Sequence, residues 1–186
     1  MVEPKAVILV EGVSDRIAVE VVARRLGRHL VREGVAVVPM GGAHAIARQL
    51  AAYAELFSAG RVVGLCDKGA EGAFRRGLEA VGLEPAPTRA GLERLGFQVC
   101  VVDLEDELIR AVGPAQVEHL LDSQGDLAAF RTLQNEPYWR GQEMTRQLRR
   151  FFGSGATRKT RYAGILAGSL EPAAVPRPLA ALLSRV

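Results

Sequence analysis

The sequence predicts an α/β fold: an open, mainly parallel sheet flanked by helices, with a helical C-terminal extension. Three observations carry this reading. Four short Val-rich runs, "KAVILV" (5–10), "VAVVP" (35–39), "RVVGLC" (61–66) and "QVCVV" (98–102), are nearly continuous rather than alternating, as in strands covered on both faces. Helical patterns lie between them, at the spacing of right-handed strand–helix–strand crossovers. After about residue 103 the strand-like runs stop and only helical patterns remain.

Taken in order, the first run ends on Glu11 and leads into "SDRIAVEVVARRLG" (14–27). There Ile17, Val21, Val22 and Leu26 share a face, Ser14 is placed to cap the start, and Gly27 closes the end. "AHAIARQLAAYAELF" (43–57) and "EGAFRRGLEAVG" (71–82) repeat the pattern more loosely, whereas "EPAPTRAG" (84–91) reads as a loop by its prolines. "DELIRAVG", "AQVEHLLDSQGDLAAFRTLQ", "QEMTRQLRRFFG", "TRKTRYAGILAGSL" and "VPRPLAALLSRV" then read as successive helices. The chain is expected to form one compact unit. Residues 1–112 make an α/β core, and residues 113–186 make a helical extension that packs on the core and completes the site.

Composition narrows the class. With 186 residues, 48% hydrophobic and 24% charged, the chain matches an ordinary globular domain. A domain of this length buries roughly 70% of its unfolded surface and needs no disulfide to stay folded. Cys66 and Cys100 each end an apolar run and read as reduced core residues. His29, His44 and His119 show no zinc-ligand spacing with them. No apolar run approaches the ~18 residues of a membrane span, and no signal-peptide pattern opens the chain, so a cytoplasmic protein is expected.

The net charge of +3 says less than its distribution. Between Tyr138 and Tyr162 seven Lys/Arg residues face one acid, Glu143, and five of the ten aromatic residues fall in the same stretch. Arg149, Arg150, Arg158 and Arg161 are therefore candidates for phosphate contact, and the interleaved aromatics for stacking or for core. The acids gather elsewhere. In an open parallel sheet, ligands bind outside the carboxyl ends of the strands. The first strand leaves Glu11 and Asp15 at that edge, the third leaves Asp67, and the fourth leaves Asp103, Glu105 and Asp106. Singly, each could be a helix-start acid or a turn cap. Together they are hard oxygen donors of the kind Mg2+ or Mn2+ takes.

"VILVEGVSDRIAV" resembles the first motif of the TOPRIM domain, a strand ending in Glu-Gly followed by a helix. The likeness is to the TOPRIM half of OLD-family (overcoming lysogenization defect) nucleases, where Ser-Asp follows, as in Ser14-Asp15. "VVDLEDELIRAVG" and "TRKTRYAGILA" resemble that family's acidic and late lysine segments, and the similarity extends from about residue 5 to about residue 168. The resemblance implies a Rossmann-like TOPRIM sheet and a divalent-metal-dependent nuclease using one or two Mg2+ or Mn2+ ions. Glu11 and Asp15 would hold one ion, and Asp67 would open the Asp-x-Asp motif. Glu105, with Asp103 or Asp106, would complete a second site, and Lys159 would stabilise charge on the scissile phosphate. Glu11 could instead act as general acid or base.

Two departures stand out. Gly69 replaces the second Asp of Asp-x-Asp, and Glu71 has the wrong spacing to substitute for it. The family's ATPase module has no counterpart here, since no G-x-x-x-x-G-K-[ST] occurs, which leaves room for a separate ATPase partner. DNA is the expected substrate, with RNA kept open, and the oligomeric state is left open. The rival reading is a catalytically weak or inactive module that binds nucleic acid or a partner ATPase. Other motifs fail: "GVSDR" is not a nucleophile elbow, because Arg16 stands where the second glycine belongs. "MGGAH" (40–44) and "GSG" (153–155) are phosphate-nest candidates that a turn and a hinge explain equally well.

Overall fold

The computed structural model describes residues 3–83 and 88–186. It opens with β1 (Ala6–Val10), α1 (Val13–Arg25), α2 (Leu30–Glu33) and β2 (Val35–Pro39). α3 (Ile46–Ala52), α4 (Ala54–Ser58), β3 (Val62–Cys66), α5 (Glu71–Ala80), α6 (Arg89–Arg94) and β4 (Phe97–Val99) follow. The rest is helical: α7 (Leu104–Val112), α8 (Pro114–Ser123), α9 (Leu127–Asn135), α10 (Met144–Phe152), α11 (Ala156–Gly168) and α12 (Arg177–Leu183).

The strands form one parallel sheet in the order β2-β1-β3-β4. β1 pairs residue for residue with β2, from Ala6 opposite Val35 to Val10 opposite Pro39. β3 is buried throughout, as a central strand covered on both faces must be. The chain leaves β1 toward one edge to make β2, then crosses back to make β3 on the other side. The switch point of this topology therefore lies between β1 and β3, and a crevice opens there beyond their carboxyl ends.

Two cores sandwich the sheet. Ile8, Val10, Val63 and Leu65 share one with α1 and the buried residues of α7 to α12. Val7, Leu9, Val62 and Cys66 share the other with Ile46, Leu50, Phe74, Leu78 and Leu92. The C-terminal helices thus lie on the same side of the sheet as α1, and the closest partnership among them is α1 with α11. Gly164 eases that approach, since a side chain there would crowd the Ile17 methyl at 3.2 Å, whereas one at Gly168 would make only ordinary contact with Val21 at 3.8 Å.

Several local expectations change. α1 begins two residues earlier than a Ser14 cap would place it: extended Gly12 is the N-cap, and Ser14 is buried in the first turn. The Asp15 carboxylate takes the cap's role by accepting from the Gly12 N–H at 2.8 Å. The most buried face of α1 is Ala18, Val19, Val22 and Ala23, while Leu26 is exposed. The single helix expected over 43–57 is a 3-10 turn followed by α3 and α4, bent at Tyr53 so that Tyr53, Leu56 and Phe57 all reach the second core. Left-handed Gly125 divides the long helical pattern after residue 114 into α8 and α9.

β4 stops at Val99, short of the expected 102. The ladder continues one step, with the Cys100 N–H donating to the Cys66 carbonyl at 2.9 Å, and then Val101 and Val102 turn outward. Of the proline-marked loop at 84–91, residues 84–87 lie outside the described residues. Its end is helical, because the Thr88 hydroxyl caps α6 by accepting from the Gly91 N–H at 3.2 Å. Cys66 and Cys100 are free and buried, and they belong to opposite cores. No helix among the described residues is long and apolar enough to cross a membrane.

Two glycines of α5 test this packing against helix propensity. An added Cβ at buried Gly77 would lie 2.2 Å from the Ile46 side chain, which is itself enclosed. Gly77→Ala should therefore lose about 1–3 kcal/mol to overpacking, despite a propensity gain of up to about 1 kcal/mol. At exposed Gly72 the only neighbour among the described residues is the Arg76 side chain at 3.4 Å, so Gly72→Ala should be neutral or stabilising. Urea unfolding of the two variants measures both.

Candidate functional site

The three strand ends that carry acids are stitched to one another by carboxylate-to-amide hydrogen bonds. Glu11, one residue past β1, accepts from the Asp67 N–H at 2.8 Å. Asp67, one residue past β3, accepts in turn from the Leu104 N–H at 3.2 Å. Asp67 heads a 3-10 turn over Lys68–Ala70 but does not cap it with its side chain, so the turn-cap explanation of this residue fails. Asp103 caps α7 through the Asp106 N–H at 2.8 Å. These bonds hold β1, β3 and the segment after β4 in one register at the switch point.

A second set of contacts comes from the extension. Lys159, in the first turn of α11, places its ammonium 3.2 Å from Glu105. Arg149 of α10 grips Asp103, its Nε lying 3.1 Å from both carboxylate oxygens. Beside these pairs is a cleft of about 300 Å³. Asp103, Glu105 and Lys159 form one wall, while Arg146, Arg149 and Arg150 line another together with Trp139 and Gly153. Positions 146, 149, 150 and 153 follow i, i+3, i+4, i+7 spacing, so this wall is one face of α10; its other face buries Leu148, Phe151 and Phe152.

Like charges held this close shift their titration. Burial, then the neighbouring carboxylates of Glu11, Asp15, Asp103 and Glu105, push Asp67 up to about 7. Burial also raises Glu11, against the opposing hydrogen bond from the Asp67 amide, and Asp15, against that from Gly12. Glu105 is raised by burial, with Lys159 pulling the other way. For Lys159 burial works downward, but Glu105 and then Asp15 and Asp67 outweigh it and lift the ammonium above its ordinary value. The carboxylates sense one another and one lysine: electrostatically this is one site.

Not every expected residue joins it. Asp106 turns to Arg110 at 2.7 Å, and Glu107 binds the Val101 N–H at 2.7 Å and Arg110 at 3.0 Å. Glu71 is held by Arg75 and Arg89, so it cannot stand in for the acid missing at Gly69. Arg150 is exposed on the cleft wall. Arg158 instead lies over the Phe151 ring at 4.1 Å and bonds Ser154. Arg161 reaches Asp126 at 3.1 Å and Gln124. Neither lines the cleft, because each finds a partner on its own side of α11. Phe151, Phe152 and Tyr162 are core, with the rings of Phe152 and Tyr162 stacked at 4.5 Å. The Gly41 and Gly42 amides both donate to the Glu11 carbonyl, and Gly153 and Gly155 flank the turn between α10 and α11. A turn and a hinge account for both glycine motifs.

The donor set fits a divalent cation in kind. Glu11, Asp15 and Asp67 are hard oxygen donors at one rim, and burial, then the neighbouring carboxylates, makes the negative form of Asp67 costly there without a compensating cation. Among the described residues no three acidic, histidine or cysteine side chains already stand as a ready ligand set, so an ion would have to draw them together. A second ion would also compete with Arg149 for Asp103 and with Lys159 for Glu105.

Asp67 sets a pH dependence for the metal-free protein. Its folded value, about 7, lies above its ordinary 3.8, so the folded chain holds more protons between these limits. Stability from this group is full below 3.8 and is lost as pH rises toward 7. Asp67→Asn keeps an acceptor for the Leu104 N–H but removes the titration. In EDTA the variant should therefore gain Tm over the parent at pH 8 and lose that advantage near pH 4, as a differential thermal melt would read.

A family model described as "Overcoming lysogenization defect protein-like, TOPRIM domain" matches residues 4–67, which span β1 to the first rim acid after β3. No curated protein matches the sequence. Among solved structures, the C-terminal region of the Burkholderia pseudomallei OLD protein superimposes with a TM-score of 0.70 at 21% identity, covering 98% of this chain and 96% of that one. The C-terminal region of the Xanthomonas campestris pv. campestris OLD protein, phased with platinum, gives 0.68 at 23% identity, covering 98% and 92%. At these identities the structural likeness is one of fold, and the sequence match adds the motif at the rim. Residues 4–67 are thus similar to the TOPRIM domain of OLD-like proteins, and the fold of the chain resembles the C-terminal region of OLD proteins.

Proposed function

We propose that the chain is a divalent-metal-dependent nuclease that cleaves phosphodiester bonds in DNA. The observation that carries this reading is the meeting of Glu11, Asp15 and Asp67 with Lys159 at the sheet's switch point, beside a cleft lined with arginines. Glu11, Asp15 and Asp67 would hold one Mg2+ or Mn2+ ion, and Asp103 with Glu105 would contribute to a second. Bound there, such an ion supplies charge compensation at the phosphate and a more acidic attacking water.

The chain's own groups do the rest. A phosphate entering the cleft meets Arg150, which is exposed, and Arg149 and Lys159, which are held by carboxylates. A scissile phosphate would compete with Asp103 and Glu105 for these cations, and those two acids would be the residues to hold a second ion. Lys159 then stands where negative charge develops on the phosphoryl oxygens, and Arg149 fixes the strand's direction through its planar fork. Glu11 is anchored by the Asp67 amide, so its free oxygen keeps a fixed direction into the rim.

The rival reading, a weakly active or inactive module that binds nucleic acid or a separate ATPase, draws support from two observations. Gly69 supplies no carboxylate, and Arg149 and Lys159 already satisfy the two acids of the second metal position. Plasmid nicking separates the readings. The protein should nick supercoiled DNA in Mg2+ or Mn2+ and not in EDTA. Lys159→Ala should slow nicking about 100- to 1,000-fold, as loss of one transition-state donor does. Glu11→Ala should abolish it, whereas Glu71→Gln, altering a carboxylate committed to Arg75 and Arg89, should leave it unchanged. DNA binding without nicking under every metal condition would establish the rival.

A further inference from the structure

We infer that Trp139 is a stacking platform for an unpaired base next to the phosphate that Lys159 faces, so that the site takes single-stranded rather than fully paired nucleic acid. This inference rests on the nuclease reading only in placing a phosphate in the cleft; it adds the class of strand that fits.

Trp139 sits in the turn between α9 and α10, and it shares the 300 Å³ cleft with Lys159, Arg149 and Arg150. Unlike Phe151, Phe152 and Tyr162, whose rings are spent in the core, it is only half-buried, and its neighbour Tyr138 is 63% exposed. The two rings meet edge to face at 5.0 Å. The Arg146 guanidinium lies over the Trp139 ring, 5.8 Å from its centre, and over that of Tyr138 at 5.9 Å, and it bonds the Tyr138 hydroxyl at 3.2 Å. An aromatic ring layered with a guanidinium is a surface on which a base can stack, against the ring or in place of the guanidinium, without its sequence being read.

The platform is rigid because its backbone is tied from below. The Trp139 carbonyl accepts from the Gln147 amide at 2.7 Å, and the Gln147 carbonyl oxygen accepts from Gln134 at 2.7 Å. Gln147 is buried in α10, a polar side chain placed in the interior where its contacts serve to fix this turn. A solvent-facing loop without function has no need of such a tether.

Charge and size select the occupant. Arg146, Arg149, Arg150 and Lys159 outnumber the two acids of the cleft wall, which suits a phosphate backbone. About 300 Å³ lies at the small end of ligand pockets and takes a single nucleotide unit. Inside a duplex both faces of a base are covered by its neighbours, so it can reach Trp139 only after unstacking, which costs a few kcal/mol. A strand that is already unpaired avoids that cost.

The chain contains one tryptophan, so its intrinsic fluorescence reports Trp139 alone. With the intact protein in EDTA, where no metal-dependent cut can occur, titration with oligo-dT should quench the emission, and the matching duplex should quench it far less. Oligo-U in a parallel titration tells whether the strand's sugar matters. Trp139→Ala should weaken single-strand binding roughly tenfold or more, and Trp139→Phe should recover most of it, with duplex binding unchanged in both. Equal quenching by single strand and duplex, or Trp139→Ala binding oligo-dT as well as the parent does, overturns the inference even if plasmid nicking is normal. Single-strand quenching without nicking in Mg2+ or Mn2+ upholds it while removing the nuclease reading.

Discussion

The structure turns on negative charge being forced together at one end of a parallel sheet. Parallel strands send their following loops to the same edge, and here three of those loops carry acids. Left alone, such a rim would splay. Backbone amides hold it closed: Glu11 is tied to the residue after β3, and Asp67 is tied to the start of α7. These bonds fix geometry but cancel little charge; burial first, and then the neighbouring carboxylates, keep Asp67 reluctant to ionise. A cation that neutralised the rim would still have to draw its acids together.

The helical extension supplies the other half of the balance. Lys159 reaches the rim because α11 lies close along α1, and that approach is helped by Gly164, which presents no side chain to Ile17. α1 itself starts at the rim, with Asp15 in its first turn. One helix therefore carries an acid of the site and serves as the track that positions the site's lysine. The amphipathic α10 completes the arrangement, with Leu148, Phe151 and Phe152 in the core and its arginines along the cleft.

The architecture was legible because its signals are strong and redundant. Val-rich runs without alternation, separated by crossover-length helical patterns, fix the sheet and place Glu11, Asp67 and Asp103 at its carboxyl edge. What escaped depends on pairings distant in sequence. Nothing local says that Arg149 belongs to Asp103 or that Arg161 belongs to Asp126. A cluster of arginines in sequence is split by helix geometry into those facing the cleft and those facing other helices. The i, i+3, i+4, i+7 spacing of 146, 149, 150 and 153 was available as a guide to that split. The start of α1 was misplaced for a different reason: Ser14 looked like a cap, but Asp15 reaches back to Gly12 and leaves the hydroxyl buried.

The two cysteines are joined by a backbone hydrogen bond yet open onto opposite sides of the sheet. Their sulfurs cannot meet without dismantling the strands between them, so oxidation cannot lock the fold with a bridge. Burial pushes both thiols well above their ordinary range, which keeps them protonated and slow to react. Each sulfur is consequently a silent witness to one layer of the molecule. A thiol reagent reaches Cys66 only when the layer of α3 and α5 lifts, and Cys100 only when the layer carrying α1 and α11 does, so the order of alkylation records which half of the sandwich loosens first.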